Sequence, residues 1–238
     1  LKDDYERYLN YCAGKAEYDK EVEYLATLEM YLEKQIRHTI DILKSQNYIM
    51  EKDDTLTNWG QAAMKVQETH PLVLIDLLKE SNMFDELTHI DIIALCSCFT
   101  SMTIHESMKQ HRPSNVNQYL ERWADRMEQL FYKYQDLESN CGVDTGSEWA
   151  YHYDLMKIMI DWANADTELK CKTIIQTAQN EKDMFLGEFV KALLKISNII
   201  KELINVAKIL CNVELEHKLS MCNESILKYV VTNQSLYI

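Results

Sequence analysis

A few polar clusters in this chain stand close enough together to suggest chemistry. Asp85-Glu-Leu-Thr-His89 is loosely like an ATPase DExH box. One extra residue separates the acid pair from the histidine, however, and no buried strand precedes it, so the spacing predicts a loop running into a helix N-cap. His105-Glu106 begins as a two-histidine zinc helix does, but the partner position is Lys109 and His111 falls too late for that geometry. Ala13-Gly-Lys15 has no upstream glycine to build a phosphate loop. GxxxxGK followed by Ser or Thr, GxSxG and GxGxxG are all absent. Acids are numerous, but none has the spacing of a paired acid and base. No catalytic centre is expected in this chain.

Seven cysteines are scattered, with Cys96 and Cys98 as a CxC and no CxxC. An odd, unpaired set predicts reduced thiols in a reducing compartment rather than a disulfide framework or a zinc site. Asn223-Glu-Ser225 and Asn233-Gln-Ser235 fit the glycosylation pattern, but without a signal peptide both read as chance matches. No apolar run approaches the roughly 18 residues of a membrane span. An intracellular protein, nuclear or cytoplasmic, with no membrane partner is expected. The chain begins at Leu1 rather than Met, which suggests a piece of something longer with the missing part upstream.

The elements that must position these residues are helical. Hydrophobic residues make up 47% and charged residues 26% of 238, while Gly is 5 and Pro 2, too few breakers for a sandwich or barrel. The net charge of −13 excludes a general basic coat, so any nucleic-acid contact must come from a local patch. The 14 tyrosines and 4 tryptophans could stack on single-stranded bases, although at helical spacing such residues usually serve the core.

Periodicity predicts helices over 1–13 and 17–47, with Gly14 as the break, and then over 60–69, 71–80, 88–108, 114–138, 147–163 and 166–180. Pro71 suits a first helical turn, and Thr88 with Asp91 fits a capping box. Between Tyr48 and Trp59, two strand-like pieces flank the turn Lys52-Asp53-Asp54 and Gly60 follows, which predicts a winged-helix-like element. The fold class is therefore mainly α: a helical bundle with a small wing. The expected divisions are an N-terminal helical segment 1–27, the winged-helix-like element 28–66 and a bundle 67–238.

The clearest pattern comes last. Phe189, Leu193, Ile196, Ile200, Leu203, Ala207 and Leu210 form one apolar face. Lys191, Lys195, Asn198, Glu202 and Asn205 lie about 180° away at roughly 100° per residue. Residues 187–238 hold six Lys against five Glu, whereas the rest of the chain holds 19 basic and 33 acidic residues.

Several motifs, in order, carry a resemblance. Gly187-Glu-Phe-Val-Lys191 is similar to a G-D/S-F/L-V/I-R helix opening, Cys211-Asn-Val-Glu-Leu-Glu-His-Lys218 to G-N-x-x-L-x-x-K, and Ser235-Leu-Tyr-Ile238 to a terminal S-L-Y-L. Upstream, Leu56-Thr-Asn-Trp-Gly60 is similar to L-T-x-x-G, and Phe84-Asp-Glu-Leu87 through Ala94-Leu-Cys-Ser-Cys-Phe99 to F-N/D-x-L followed by A-L-L-S-C-F. Together, over about 28–238, they resemble the C-terminal DSHCT domain of superkiller-type, exosome-cofactor DExH-box RNA helicases. The chain departs from that pattern at Lys228-Tyr229, where the family has R-D, and at Thr100, Ser101 and Met102, where an acid is usual. Glu106 could supply that acid only with a register change. The family's basic pair is Lys191 and Lys195 here, which keeps the charge but loses the bidentate guanidinium fork.

The resemblance implies an accessory region that covers the RNA path, a lid and ratchet with Lys191, Lys195 and more weakly Glu106 on single-stranded RNA. It implies partners in RecA-like helicase domains of the same polypeptide, which would bind ATP and Mg²⁺, and an RNA-decay complex; no cofactor is expected in this chain itself. A free-standing helical protein–protein adaptor without a motor is the alternative. The Ser235–Ile238 end is expected to pack rather than fray.

Overall fold

The computed structural model describes residues 2–101, 106–145 and 150–229. Their elements are α1 (Lys2–Ser45), α2 (Asn58–Ala63), α3 (Pro71–Glu80), α4 (His89–Ser97), a 3-10 turn (Glu106–Met108), α5 (Gln118–Cys141), α6 (Met156–Asn164), α7 (Glu168–Lys182), α8 (Leu186–Ile209) and α9 (Val213–Ile226). The expected Ser235–Ile238 packing and His105 fall outside the described residues.

Helix α4 is the hub. Its residues from Asp91 to Ser97 are buried on every side, and it packs against α5, α6, α8 and α9. A helix apolar all round belongs in a core. Its start is fixed as the sequence predicts: Asp91 N–H donates to the Thr88 hydroxyl while the Asp91 carboxylate accepts from Thr88 N–H at 3.0 Å. Helix α3 opens on Pro71 with His70 as N-cap, whose Nδ1 accepts Val73 N–H at 3.3 Å. Helix α8 lays its predicted seam into the same core. Phe189, Leu193, Ile196, Ile200, Leu203 and Ala207 are all buried, and Leu210 is half-buried at the helix end. Asn212 then caps α9, which buries Leu215, Leu219, Cys222 and Ile226. All seven cysteines are unpaired.

Several expectations change. Gly14 does not break a helix: α1 runs unbroken for 44 residues, because one glycine costs only about 1 kcal/mol against alanine. Every residue from 3 to 34 on that helix is exposed, including Tyr11, Tyr18, Leu25 and Leu32. Its C-terminal end is fastened to the end of α5. The Gln35 amide donates to Gly142 O at 2.7 Å and accepts from Asp144 N–H at 2.9 Å, and the His38 ring pairs with Cys141 O at 2.6 Å.

The wing amounts to a single antiparallel bridge, Ile49 with Leu56, and among the described residues no strand forms. The turn is where the sequence predicts it, with Asp53 accepting from Thr55. Met50 and Leu56 remain 49% and 40% exposed, so the pair has no buried apolar face to extend it. Gly60 lies inside α2 rather than before it, with Thr57 as N-cap.

Helix 88–108 stops at Ser97, where the carbonyl of the next residue, Cys98, accepts His152 N–H at 3.0 Å instead of continuing a helical ladder. Helix 147–163 begins only at Met156, because Ala150–Asp154 forms the irregular segment that makes that bond.

Candidate nucleic-acid interface

The buried seam of α8 fixes the direction of its opposite side. Lys191 is exposed and Lys195 half-buried, one turn apart, about 6 Å along the axis. The two acids nearest to them in sequence on the same helix, Glu188 and Glu202, are both hydrogen-bonded to backbone N–H groups. Glu188 turns back to accept Phe185 N–H at 3.2 Å. Glu202 Oε2 accepts the N–H groups of Gln67 and Glu68 at 3.1 and 3.2 Å, and Asn198 donates to Glu68 at 3.2 Å. Burial holds the Glu202 carboxyl above the usual range, partly offset by those two N–H donors and by Lys195. The polar stripe therefore divides. Its C-terminal half clasps the 67–68 segment, while neither lysine makes an ion pair within 4 Å among the described residues.

Lys195 stands at the rim of a cavity of about 650 Å³. Glu68 shares that rim, Tyr132 and Tyr151 form one wall, and Thr100 and His152 lie deeper. Lys109 and His111, whose spacing fails as a zinc motif, line it too. The wall is built on an aromatic stack: Tyr151 lies 5.0 Å from Phe131 at 27°, and Tyr153 meets Tyr151 edge-on at 5.8 Å. Glu128 accepts both tyrosine hydroxyls, at 2.6 and 3.2 Å. Burial and that neighbouring carboxylate push both phenols well above their ordinary pKa, so they remain neutral donors.

A buried staple holds the floor. Lys182, at the end of α7, donates to Asp154 Oδ1 and to Met108 O, both at 2.9 Å, and Asp154 Oδ1 also accepts Gln110 N–H at 2.8 Å. This ties the turn carrying Glu106 to the 150–154 segment. Glu106 itself opens the 3-10 turn, and its side chain lies outside the described residues.

Thr100, His152 and Asp154 mimic a nucleophile–base–acid line, with Thr100 Oγ1 to His152 Nε2 at 2.9 Å. The chemistry does not follow. The Thr100 hydroxyl proton is donated to Ser97 O at 2.8 Å, so the histidine supplies the N–H and no nucleophile is activated. Its Nδ1 has no hydrogen-bond partner and stands 3.9 Å from Asp154, and burial lowers its pKa. The trio is a strut. Among the described residues no cluster of three or more His, Cys, Asp or Glu could hold a metal ion, and no helix is long and apolar enough to cross a membrane.

The remaining sequence candidates resolve into scaffold. Asp85 lies in an exposed turn and His89 is the first residue of α4. Ala13-Gly-Lys15 lies in mid-helix. Lys228, where the pattern above has arginine, donates to Ala163 O and Ala165 O at 3.0 and 2.6 Å and so caps the C-terminus of α6. The cavity wall is not legible in the sequence. The alternation Tyr151-His-Tyr-Asp154 is its one local signal, and helical periodicity over 147–163 masks it.

Comparison with known proteins follows the same lines. The family profile described as DSHCT (NUC185) domain matches residues 53–234. Over 200 residues the chain is 25% identical to "mRNA transport homolog 4" of Caenorhabditis elegans, covering 83% of this chain and 18% of that protein. It is 21% identical over 234 residues to the "DExH-box ATP-dependent RNA helicase DExH10" of Arabidopsis thaliana, covering 94% and 22%. It is 22% identical over 211 residues to the "ATP-dependent RNA helicase mtr4" of Schizosaccharomyces pombe, covering 84% and 18%. The chain thus spans between 18% and 22% of the length of these curated relatives.

Proposed function

The chain belongs to the DSHCT domain family, and on that premise we propose that it is the RNA-guiding accessory region of a superfamily 2 ATP-dependent RNA helicase. It acts as a lid and ratchet over a single strand while RecA-like domains of the same polypeptide, holding ATP and Mg²⁺, move that strand. The setting is intracellular RNA processing, with an exosome-type decay complex as the wider partner. One observation carries the reading. Lys191 and Lys195 project together from a helix whose other side is locked in the core, and the two acids nearest in sequence are bonded to backbone N–H groups instead. Two ammonium groups on a module of net charge −13 hold phosphates weakly, which suits repeated release.

The test is single-stranded RNA binding by wild type and by Lys191→Ala/Lys195→Ala at two salt concentrations. The double variant should bind more weakly on every sequence, with a salt slope flatter by about 0.7 for each phosphate that is no longer neutralised. Its melting temperature should change little, since neither lysine makes an ion pair within 4 Å among the described residues. Wild-type binding by the double variant at both salts would refute the reading. The adaptor reading, a helical protein–protein module without a motor, would then stand. The exposed apolar side chains along α1 are what favours it.

A further inference from the structure

The geometry points to Asp76 as a joint, one buried carboxylate that fixes the direction in which α1 leaves the bundle. Asp76 lies on α3, is only 7% exposed, and shares its two oxygens evenly among four donors. Oδ1 accepts the Tyr48 hydroxyl at 2.7 Å and the Lys79 ammonium at 3.1 Å. Oδ2 accepts the Tyr134 hydroxyl at 2.6 Å and the Lys133 ammonium at 3.0 Å. Lys79 also stands 3.9 Å from the centre of the Tyr48 ring and 5.0 Å from that of Trp59. A single charge therefore gathers α2, α3, α5 and the segment that follows α1. Burial by itself would raise the Asp76 carboxyl. The hydrogen bonds from Tyr134, Tyr48 and Lys133 and the charge of Lys79 outweigh it and hold the group below the usual carboxylate range.

Tyr48 is a rigid extension of α1, so its hydroxyl can set the direction of the helix. Asn47 enters the left-handed region at φ 59°. Its N–H donates to Lys44 O at 2.9 Å, and the N–H of Tyr48 donates to Leu43 O at 2.8 Å. These two bonds are a Schellman closure, which locks Tyr48 to the last turn of α1. The other polar attachment of α1 to α5 is made by Gln35 and His38, which bond Cys141, Gly142 and Asp144. Tyr134 precedes Cys141 by seven residues, about 10 Å along α5. Two attachments that far apart define a direction, whereas one would let the helix turn about it. Burial of Ile42 and of the Tyr48 ring also holds this end of α1, but apolar burial is non-directional. The directional part rests on the Tyr48 hydroxyl and the carboxylate that receives it.

The test is a distance measurement on the whole chain by pulsed electron spin resonance. Cys12 on α1 and Cys211 between α8 and α9 are exposed and take the spin labels. Four other cysteines are buried, and Cys141→Ser in every protein removes the half-buried one. The proteins compared are otherwise wild type, Tyr48→Phe, Asp76→Asn and Lys182→Met. Lys182→Met breaks a buried ion pair that has no bond to α1, and so stands for loss of stability alone. The otherwise wild-type protein should give one narrow distribution. Tyr48→Phe, which keeps the ring, and Asp76→Asn should each broaden it about twofold as α1 samples further directions. Lys182→Met should leave it narrow.

A broad distribution in the otherwise wild-type protein would overturn the joint. So would a narrow one in Tyr48→Phe, because burial of the ring and of Ile42 would then be enough to orient the helix. Equal broadening by Lys182→Met would do the same. If Asp76→Asn does not fold, Tyr48→Phe decides alone.

Discussion

The ammonium of Lys218 stands 2.9 Å from the carbonyl oxygen of Phe84 and 3.3 Å from that of Asp85. This joins two motifs that lie more than 130 residues apart in the chain. Phe84 is the third of three consecutive non-glycine residues, after Asn82 and Met83, with φ between 49° and 63°. Such left-handed backbone costs about 1–2 kcal/mol per residue. The lysine, the Ser81 hydroxyl on Phe84 N–H at 3.0 Å and the burial of the Phe84 ring together hold the turn. Lys218→Met should lower unfolding stability by about 2 kcal/mol, the scale of a hydrogen bond to a charged donor. Urea denaturation checks it, and an unchanged midpoint would show the turn to be held by its ring alone.

Two backbone positions give opposite expectations. A Cβ on Gly60 would stand 2.1 Å from the carbonyl oxygen of Tyr48, so Gly60→Ala must push α2 off the segment that follows α1. The expected destabilisation is about 2 kcal/mol, the middle of the overpacking range. Cys211 is exposed at φ 53°, where the resembled pattern has glycine. Cys211→Gly should raise stability by about 1 kcal/mol as the left-handed strain disappears. Thermal melts of the two variants should move apart.

Lys182 and Asp154 form an ion pair whose side chains are only 8% and 2% exposed. Removing one partner leaves a buried charge, so Lys182→Met should cost about 3 kcal/mol or more. Because the same lysine pins the carbonyl of Met108, hydrogen exchange should rise first at 106–110. Uniform exchange through the core would contradict this staple.

His70 supplies a pH dependence. Its ring is buried and its pKa is lowered to about 4 from 6.5, chiefly by burial. The unfolded chain therefore binds a proton that the folded chain refuses. Stability is full above pH 6.5 and declines as pH falls towards 4, by about 3 kcal/mol in total. The protonated ring would also give up its role as acceptor for Val73 N–H. His152, likewise lowered by burial, adds to the same slope. His70→Asn keeps a capping acceptor without titrating, so its stability should vary less over pH 4–6.5 when urea midpoints are compared.

Local pattern is enough where one face of one helix does one job. The α8 seam, the Thr88–Asp91 capping box and Pro71 stand in the structure at the residues that periodicity and capping chemistry pick out. It is not enough where distant segments meet. The cavity draws Glu68, Thr100, Lys109, Tyr132, Tyr151 and Lys195 from separate stretches, each of which reads by itself as a helix or a loop. Helix α4 ends early where the carbonyl of its C-cap, Cys98, accepts His152 N–H from the 150–154 segment, a tertiary fact with no local signal. Turn chemistry predicts the wing and is correct at Asp53 and Thr55, but strand extension needs a buried face that the sequence around it does not supply. Spacing puts Lys191 and Lys195 on the face of α8 opposite its seam, while it cannot find the fate of Glu188 and Glu202, because both bond to backbone.

The long first helix also acts as a lever. Residues 3–34 are exposed throughout, and the helix is held over its C-terminal end, where Gln35 and His38 bond the end of α5, Ile42 is buried and Lys44 pairs with Asp54. At 1.5 Å per residue the free part reaches about 50 Å from that fulcrum. A tilt of about 5° at the fulcrum then sweeps the tip through about 4 Å, close to one turn of helix. The fulcrum rests on the C-terminal end of α5, the helix that also carries Tyr132 and Glu128. Torque applied at the tip is therefore delivered to the helix that forms the aromatic wall.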